Sequence, residues 1–211
     1  MFKSDTLFAK FMNKLADVLL IGILWVVFSV PVITSGAAST AAYYAMAKCV
    51  RHNTGYVFRE FWRSFKLNFK HTVLLSIAFW GLMAAAAIEI YMVWSVRSQL
   101  NDALFVILVF VAFLIGGLAI YVCPVISRFD KRFGDLFKTS AFLFFKYLPL
   151  TVLGVALFVA AGIGVYLMPW AILVFPGIYM WAVSFPMEKI LRKMMPDVPE
   201  DSDEGQKWYY Q

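Results

Sequence analysis

Charge is scarce in this chain: 15% of its 211 residues are ionisable, against about 25% in a soluble globular domain. That shortage excludes an ordinary water-facing surface. Cysteine and histidine occur only twice each. Cys49 and Cys123 are far apart and each sits inside an apolar run, so neither a disulfide framework nor a C-x-x-C metal pattern is present. His52 and His71 have no carboxylate or cysteine at ligand spacing. The chain has no G-x-S-x-G, no H-E-x-x-H and no phosphate-binding G-x-x-x-x-G-K-[ST]. Paired acids in the apolar segments are missing too, because Glu89 is the single acid well inside one. These absences predict a protein that is not an enzyme and carries no metal or cofactor.

What the chain has is apolar bulk. It is 62% hydrophobic, with 21 Phe, 10 Tyr and 7 Trp, and its mean hydropathy is +0.75. A domain of this size has too much surface per volume to hide that much apolar material from water. The solvent for most of it is therefore lipid, and the expected fold is an all-α, polytopic membrane bundle.

A membrane helix needs about 20 mostly apolar residues. Six stretches are read as spans, at 16–33, 37–50, 72–95, 103–127, 148–168 and 170–187, all within one membrane domain at 1–195. The last is interrupted by Pro176-Gly177, which predicts a kink. The second is short for a bilayer, about 21 Å as helix, so it either crosses as the partner of the first span or re-enters. Its run of small residues, including Gly36, Ala37, Thr40 and Ala41, suits close approach of another helix.

The net charge of +6 with a pI near 9.3 raises the question of nucleic acid, but a basic excess is ordinary in a membrane protein whose Lys and Arg gather on the cytoplasmic side. No nucleic-acid partner is expected. With both termini cytoplasmic, 18 of the 19 basic residues fall inside and Arg97 alone falls outside. The basic start and first apolar run imitate a secretory signal peptide. Their length and aromatic content argue for a retained span, as does the charge balance that cleavage would spoil.

Three amphipathic segments precede the inside-to-outside spans, at 7–15, 57–70 and 132–146. In the second, Phe58, Phe61, Trp62, Phe65 and Phe69 follow helical spacing, with Arg59, Arg63 and Lys66 between them. Such helices lie at the headgroup level with the basic face toward anionic lipid. Arg59, Trp62, Arg63, Lys66, Arg132 and Lys138 are the candidates for docking lipid or a protein partner. An offset of 76 residues matches Phe61 to Phe137 and Ser64 to Ser140. It fits either an internal repeat or the pattern that membrane entry imposes on any such segment.

Glu89 is the sharpest single candidate, because an intramembrane acid costs several kcal/mol and usually serves a cavity or partner. Its place near the outer end of its span also suits a simple anchor paired with Arg97. The stretch 196–211 holds five acids, two prolines and no apolar period, which predicts a disordered cytoplasmic tail.

The motif Pro31-Val32-x-Thr34-x-Gly36-Ala37-x-x-Thr40-Ala41-x-Tyr43, followed by Gly55-Tyr56-x-Phe58-Arg59-Glu60-Phe61-Trp62-Arg63-Ser64-Phe65-Lys66-x-Asn68-Phe69-Lys70, resembles the YesL family of bacterial membrane proteins. The distinctive part covers the first 75 residues. The resemblance supplies no catalytic residues. It implies a bacterial plasma-membrane protein encoded beside carbohydrate-uptake and polysaccharide-degradation genes, and so an accessory to a sugar ABC importer, partnering its permease or ATPase. A small stand-alone transporter is the alternative, with substrate near the short second span.

Overall fold

A computed structural model describes residues 7–95, 99–129 and 133–194. All regular structure in them is helical. Seven α-helices follow in order: α1 Leu7–Ser29, α2 Ser35–Ala45, α3 Val57–Ser95, α4 Gln99–Arg128, α5 Phe133–Lys146, α6 Leu148–Leu167 and α7 Phe175–Arg192. Short turns at Val32–Thr34, Met46–Arg51 and Pro169–Leu173 join them, the second being π-helical. The tail at 196–211, with Arg97 and Arg132, lies outside the described residues.

Among the described residues four helices contain stretches long and apolar enough to cross a membrane, at Phe11–Ser29, Val57–Val93, Ala103–Arg128 and Leu148–Leu167. The described chain is thus all-helical with four candidate membrane spans, and two of the six predicted spans do not meet that criterion. The second is only 11 α-helical residues plus one π turn. The sixth is broken: Pro169–Leu173 forms a 3-10 turn and α7 starts at Phe175, with Pro176 in its first turn. Pro176 therefore starts a helix and does not kink one, since its missing N–H is an orphan at that position anyway.

The predicted amphipathic segments also resolve differently. Residues 57–70 are the first third of α3, a single helix of 39 residues, about 58 Å long. No break separates the segment from the apolar stretch, because nothing between Asn68 and Val73 disrupts helix: Thr72 bonds back to the Asn68 carbonyl at 2.7 Å and stays within the ladder. The segment at 7–15 likewise runs on into α1. Only the third is separate, as α5, where Tyr147 (φ −117°, ψ 43°) and Pro149 divide it from α6. The two units related by the 76-residue offset thus differ in backbone at the matching point, although Ser64 and Ser140 are both buried.

The centre belongs to α2. It packs against α1, α3 and α4 and touches α7, and Ala37, Ala38, Ala41, Ala42 and Ala45 are fully buried. Methyl side chains let neighbouring backbones approach, which replaces the hydrophobic drive that lipid cannot supply. At Gly36 even a methyl would collide with Ser76 Oγ, and the Gly36 N–H donates to that oxygen at 2.8 Å. α1 and α7 meet through glycine as well. A Cβ on Gly22 would stand 2.7 Å from the Leu173 carbonyl oxygen, and one on Gly177 would strike that of Val18.

Candidate functional site

The basic residues at the ends of α2, α3, α4 and α7 converge at one end of the bundle, where two polar assemblies form. The first is buried. Arg128, at the last turn of α4, pairs with Glu188 of α7 through its Nη2 and Oε2 atoms, and its Nε donates to Glu188 Oε1 at 3.2 Å. Tyr43 of α2 donates its hydroxyl to the same Oε1 at 2.7 Å. Arg128, Tyr43 and Glu188 are all at least 97% buried. Arg51, in the π turn after α2, donates to the Ser184 carbonyl and lies over the Phe185 ring, 4.9 Å from its centroid. His52 follows it, half-buried, and its pKa is lowered, first by burial and then by the Arg128 guanidinium.

Three elements are therefore tied by one carboxylate: the central helix through Tyr43, α4 through Arg128, and α7 itself. A buried carboxylate with a bidentate cation and a hydroxyl donor is well satisfied. It holds helices in register, and its own hydrogen-bonding capacity is largely occupied.

The second assembly reaches the surface. Lys48 of the π turn pairs with Glu60 of α3 at 2.8 Å, both nearly buried. The connection between them turns through Asn53 (φ 53°) and Gly55 (φ 86°), and a Cβ on Gly55 would crowd Glu60 Cγ at 3.1 Å. Beside this pair lies a groove of about 490 Å³ lined by Arg59, Glu60, Trp62, Arg63, Lys66 and Leu67. Phe61 and Phe65 point into the core against Phe28. Trp62 sits at the border: it touches Phe28 at 5.4 Å, is 37% exposed, and carries the Lys66 ammonium 4.8 Å from its ring centroid. Arg59, Arg63 and Lys66 are exposed. With Glu60 neutralised by Lys48, the groove presents cations on an aromatic floor, the chemistry that takes phosphate or carboxylate.

The other predicted residues lie elsewhere. Ala37, Thr40 and Ala41 are buried in α2, and Gly36 faces α3. Lys138 is exposed on α5, apart from the groove, and Glu89 is exposed near the far end of α3. Among the described residues no group of His, Cys, Asp and Glu could hold a metal, and Cys49 and Cys123 are free thiols.

Sequence reasoning did not single out Arg128, Glu188 or Tyr43. Glu188 stands one residue beyond the predicted end of the sixth span, and Arg128 one beyond the fourth. A signal was available in the helical period: Tyr121, Val125 and Arg128 form one buried stripe of α4, and Ser184, Glu188 and Leu191 form one of α7. The two charges continue core faces.

Residues 18–90, which hold most of α1, all of α2 and most of α3 with its groove, match a family model described as a protein of unknown function, DUF624. The chain is 25% identical over 138 residues to the uncharacterized protein YesL of Bacillus subtilis (strain 168). That alignment covers 63% of this chain and 64% of YesL, just under two thirds of the relative. No solved structure matches the chain. The motifs of the α1–α2 hairpin and the basic start of α3, together with these matches, make the chain similar to YesL and its residues 18–90 similar to the DUF624 family, whose molecular function is unknown.

Proposed function

We propose that this protein is a non-enzymatic accessory subunit of a carbohydrate-uptake system of the sugar ABC importer type, in the bacterial plasma membrane. Both termini are cytoplasmic in this scheme, and α1 and α2 form a pair that returns the chain to the side it left. The observation that carries it is the contrast between a filled centre and an open basic groove. Where a transporter needs a polar passage, α2 presents fully buried alanines packed on α1, α3 and α4. Where a subunit needs a contact surface, Arg59, Arg63 and Lys66 surround Trp62 on a cytoplasmic face, an aromatic and Arg composition typical of interface anchors. An acidic surface on the permease or ATPase complements it. The link to sugar uptake comes from the family resemblance, which is contextual and not mechanistic.

One observation favours the stand-alone transporter: a buried Arg128, Glu188 and Tyr43 centre beside an imidazole, since ionisable groups inside membrane bundles often serve transport. Purification from native membrane followed by mass spectrometry separates the two. The accessory role predicts co-purification of importer subunits that falls with added salt and weakens by about 1 kcal/mol per charge when Arg59, Arg63 and Lys66 are together changed to Gln. Sugar flux by the purified chain alone in proteoliposomes would overturn it.

A further inference from the structure

We propose that the α1–α2 hairpin is re-entrant: its apolar tip, residues 30–33, ends among lipid acyl chains part-way across the bilayer and does not reach water on the far side. The depth of the tip is fixed against α3 by two hydrogen bonds. Trp80 Nε1 donates to Ser35 Oγ at 2.8 Å, and the Gly36 N–H donates to Ser76 Oγ at 2.8 Å. On α3 the last basic residue is Lys70, and the apolar stretch then runs to Ser95. The start of α2 is therefore level with points about 9–15 Å beyond Lys70, and the Val32–Thr34 turn adds about 6 Å, which leaves the tip about 16–22 Å short of Ser95.

α4 gives a similar register. Tyr43 of α2 and Arg128 of α4 meet on Glu188. From that level α4 continues to Gln99, about 44 Å, whereas α2 continues only to Ser35, about 12 Å. Two helices thus extend far past a hairpin that stops near mid-depth. The return arm is also too short to cross: Ser35–Ala45 and Met46–Arg51 give about 26 Å of helix, and its final residues Lys48 and Arg51 already sit in the charged assembly.

The chemistry of the tip matches acyl chains. Val30, Val32 and Ile33 are 76%, 52% and 51% exposed, and Pro31 between them is exposed too. No charged residue occurs between Asp17 and Lys48. Backbone polarity is largely covered from within, as hydrocarbon requires. Thr34 Oγ1 shares its one proton between the carbonyls of Phe28 at 2.6 Å and Pro31 at 2.7 Å, the Thr34 N–H also donates to Pro31, and Pro31 has no N–H to satisfy. In this arrangement α3, α4 and α6 cross, α1 turns back at the tip although it is long enough to cross, and the Pro169–Leu173 turn with α7 returns the chain. The depth does not depend on the accessory role or on which side is the cytoplasm.

The test uses the full chain with Cys49 and Cys123 changed to Ala and a single cysteine at Val30, Val32 or, as a control at the far end of α4, Gln99. The tip positions are exposed, so Val30→Cys and Val32→Cys leave the core intact. In intact cells a membrane-impermeant maleimide should label Gln99→Cys and spare both tip cysteines. A nitroxide on either tip cysteine in lipid vesicles should collide with oxygen several-fold more readily than with a water-soluble nickel chelate. If Gln99→Cys labels only from the cytoplasmic side, the orientation in the accessory scheme fails, while the nitroxide still reports the depth. Tip labelling as fast as at Gln99, or a nickel collision rate equal to that of a water-exposed site, would overturn the inference. So would a nitroxide shielded from both reagents, because the tip would then be covered by protein.

Discussion

Glu188→Gln removes the charge on which Tyr43, Arg128 and α7 converge while keeping shape and one acceptor oxygen. The Arg128 guanidinium, 1% exposed, would then lose its carboxylate partner on α7. Breaking a buried pair by removing one partner costs about 3–5 kcal/mol. For a chain of this size each kcal/mol is worth about 2–4 °C in melting temperature, so the variant should melt about 6–20 °C lower in detergent. Arg128→Met should cost a similar amount, because it strands the carboxylate instead. The triple change Tyr43→Phe, Arg128→Met and Glu188→Leu removes the hydroxyl, the cation and the carboxylate of the centre together. It should recover most of the loss, since apolar replacement of a whole buried network is often neutral or better. Melting followed by size-exclusion chromatography on the wild type, the single variants and the triple gives the coupling directly. If Glu188→Gln and Arg128→Met each melt within about 1 °C of wild type, or if the triple variant loses the sum of the single losses, the centre does not hold the helices together.

His52 supplies a pH dependence. Its folded pKa lies below the ordinary histidine value, so between that lowered value and about 6.5 the unfolded chain binds more protons than the folded one. Stability therefore rises with pH across that window and is lost on acidification; His52→Gln should flatten the melting curve there, and an unchanged slope would count against this. Gly177→Ala should cost about 1–3 kcal/mol by overpacking α7 on the Val18 carbonyl, whereas Gly162→Ala, with open space around it, should be neutral or slightly stabilising in the same melt. Glu89→Gln should leave membrane abundance and sugar uptake unchanged, because Glu89 is exposed near the end of α3 and a neutral amide is cheaper to hold near headgroups than a carboxylate. Lost uptake at normal abundance would move Glu89 from anchor to functional site.

The sequence by itself determined the solvent, the secondary-structure class and the chemistry of surfaces. The shortage of charge together with the long apolar runs requires lipid around an all-helical chain, and that argument needs no partner for any residue. The spacing of Phe58, Phe61, Trp62, Phe65 and Phe69 determined an amphipathic helix with basic residues on its other face, because a 3.6-residue period is a local property. The small residues of α2 announced a helix built for close contact, though not what it touches.

Tertiary structure decided what depends on pairing between distant segments. Residues 57–70 and 72–95 form one helix because the backbone ladder is uninterrupted, a continuity that a change in hydropathy cannot report. Arg128 and Glu188, 60 residues apart, looked like two entries in a charge count. They became a buried pair only when the stripes of α4 and α7 met around Tyr43. Gly22 and Gly177 gained meaning the same way, through the carbonyl each faces on another element. The depth of the α1–α2 tip follows from Trp80 and Ser76 reaching α2. No composition or period records it, because depth is a relation between helices and not a property of one.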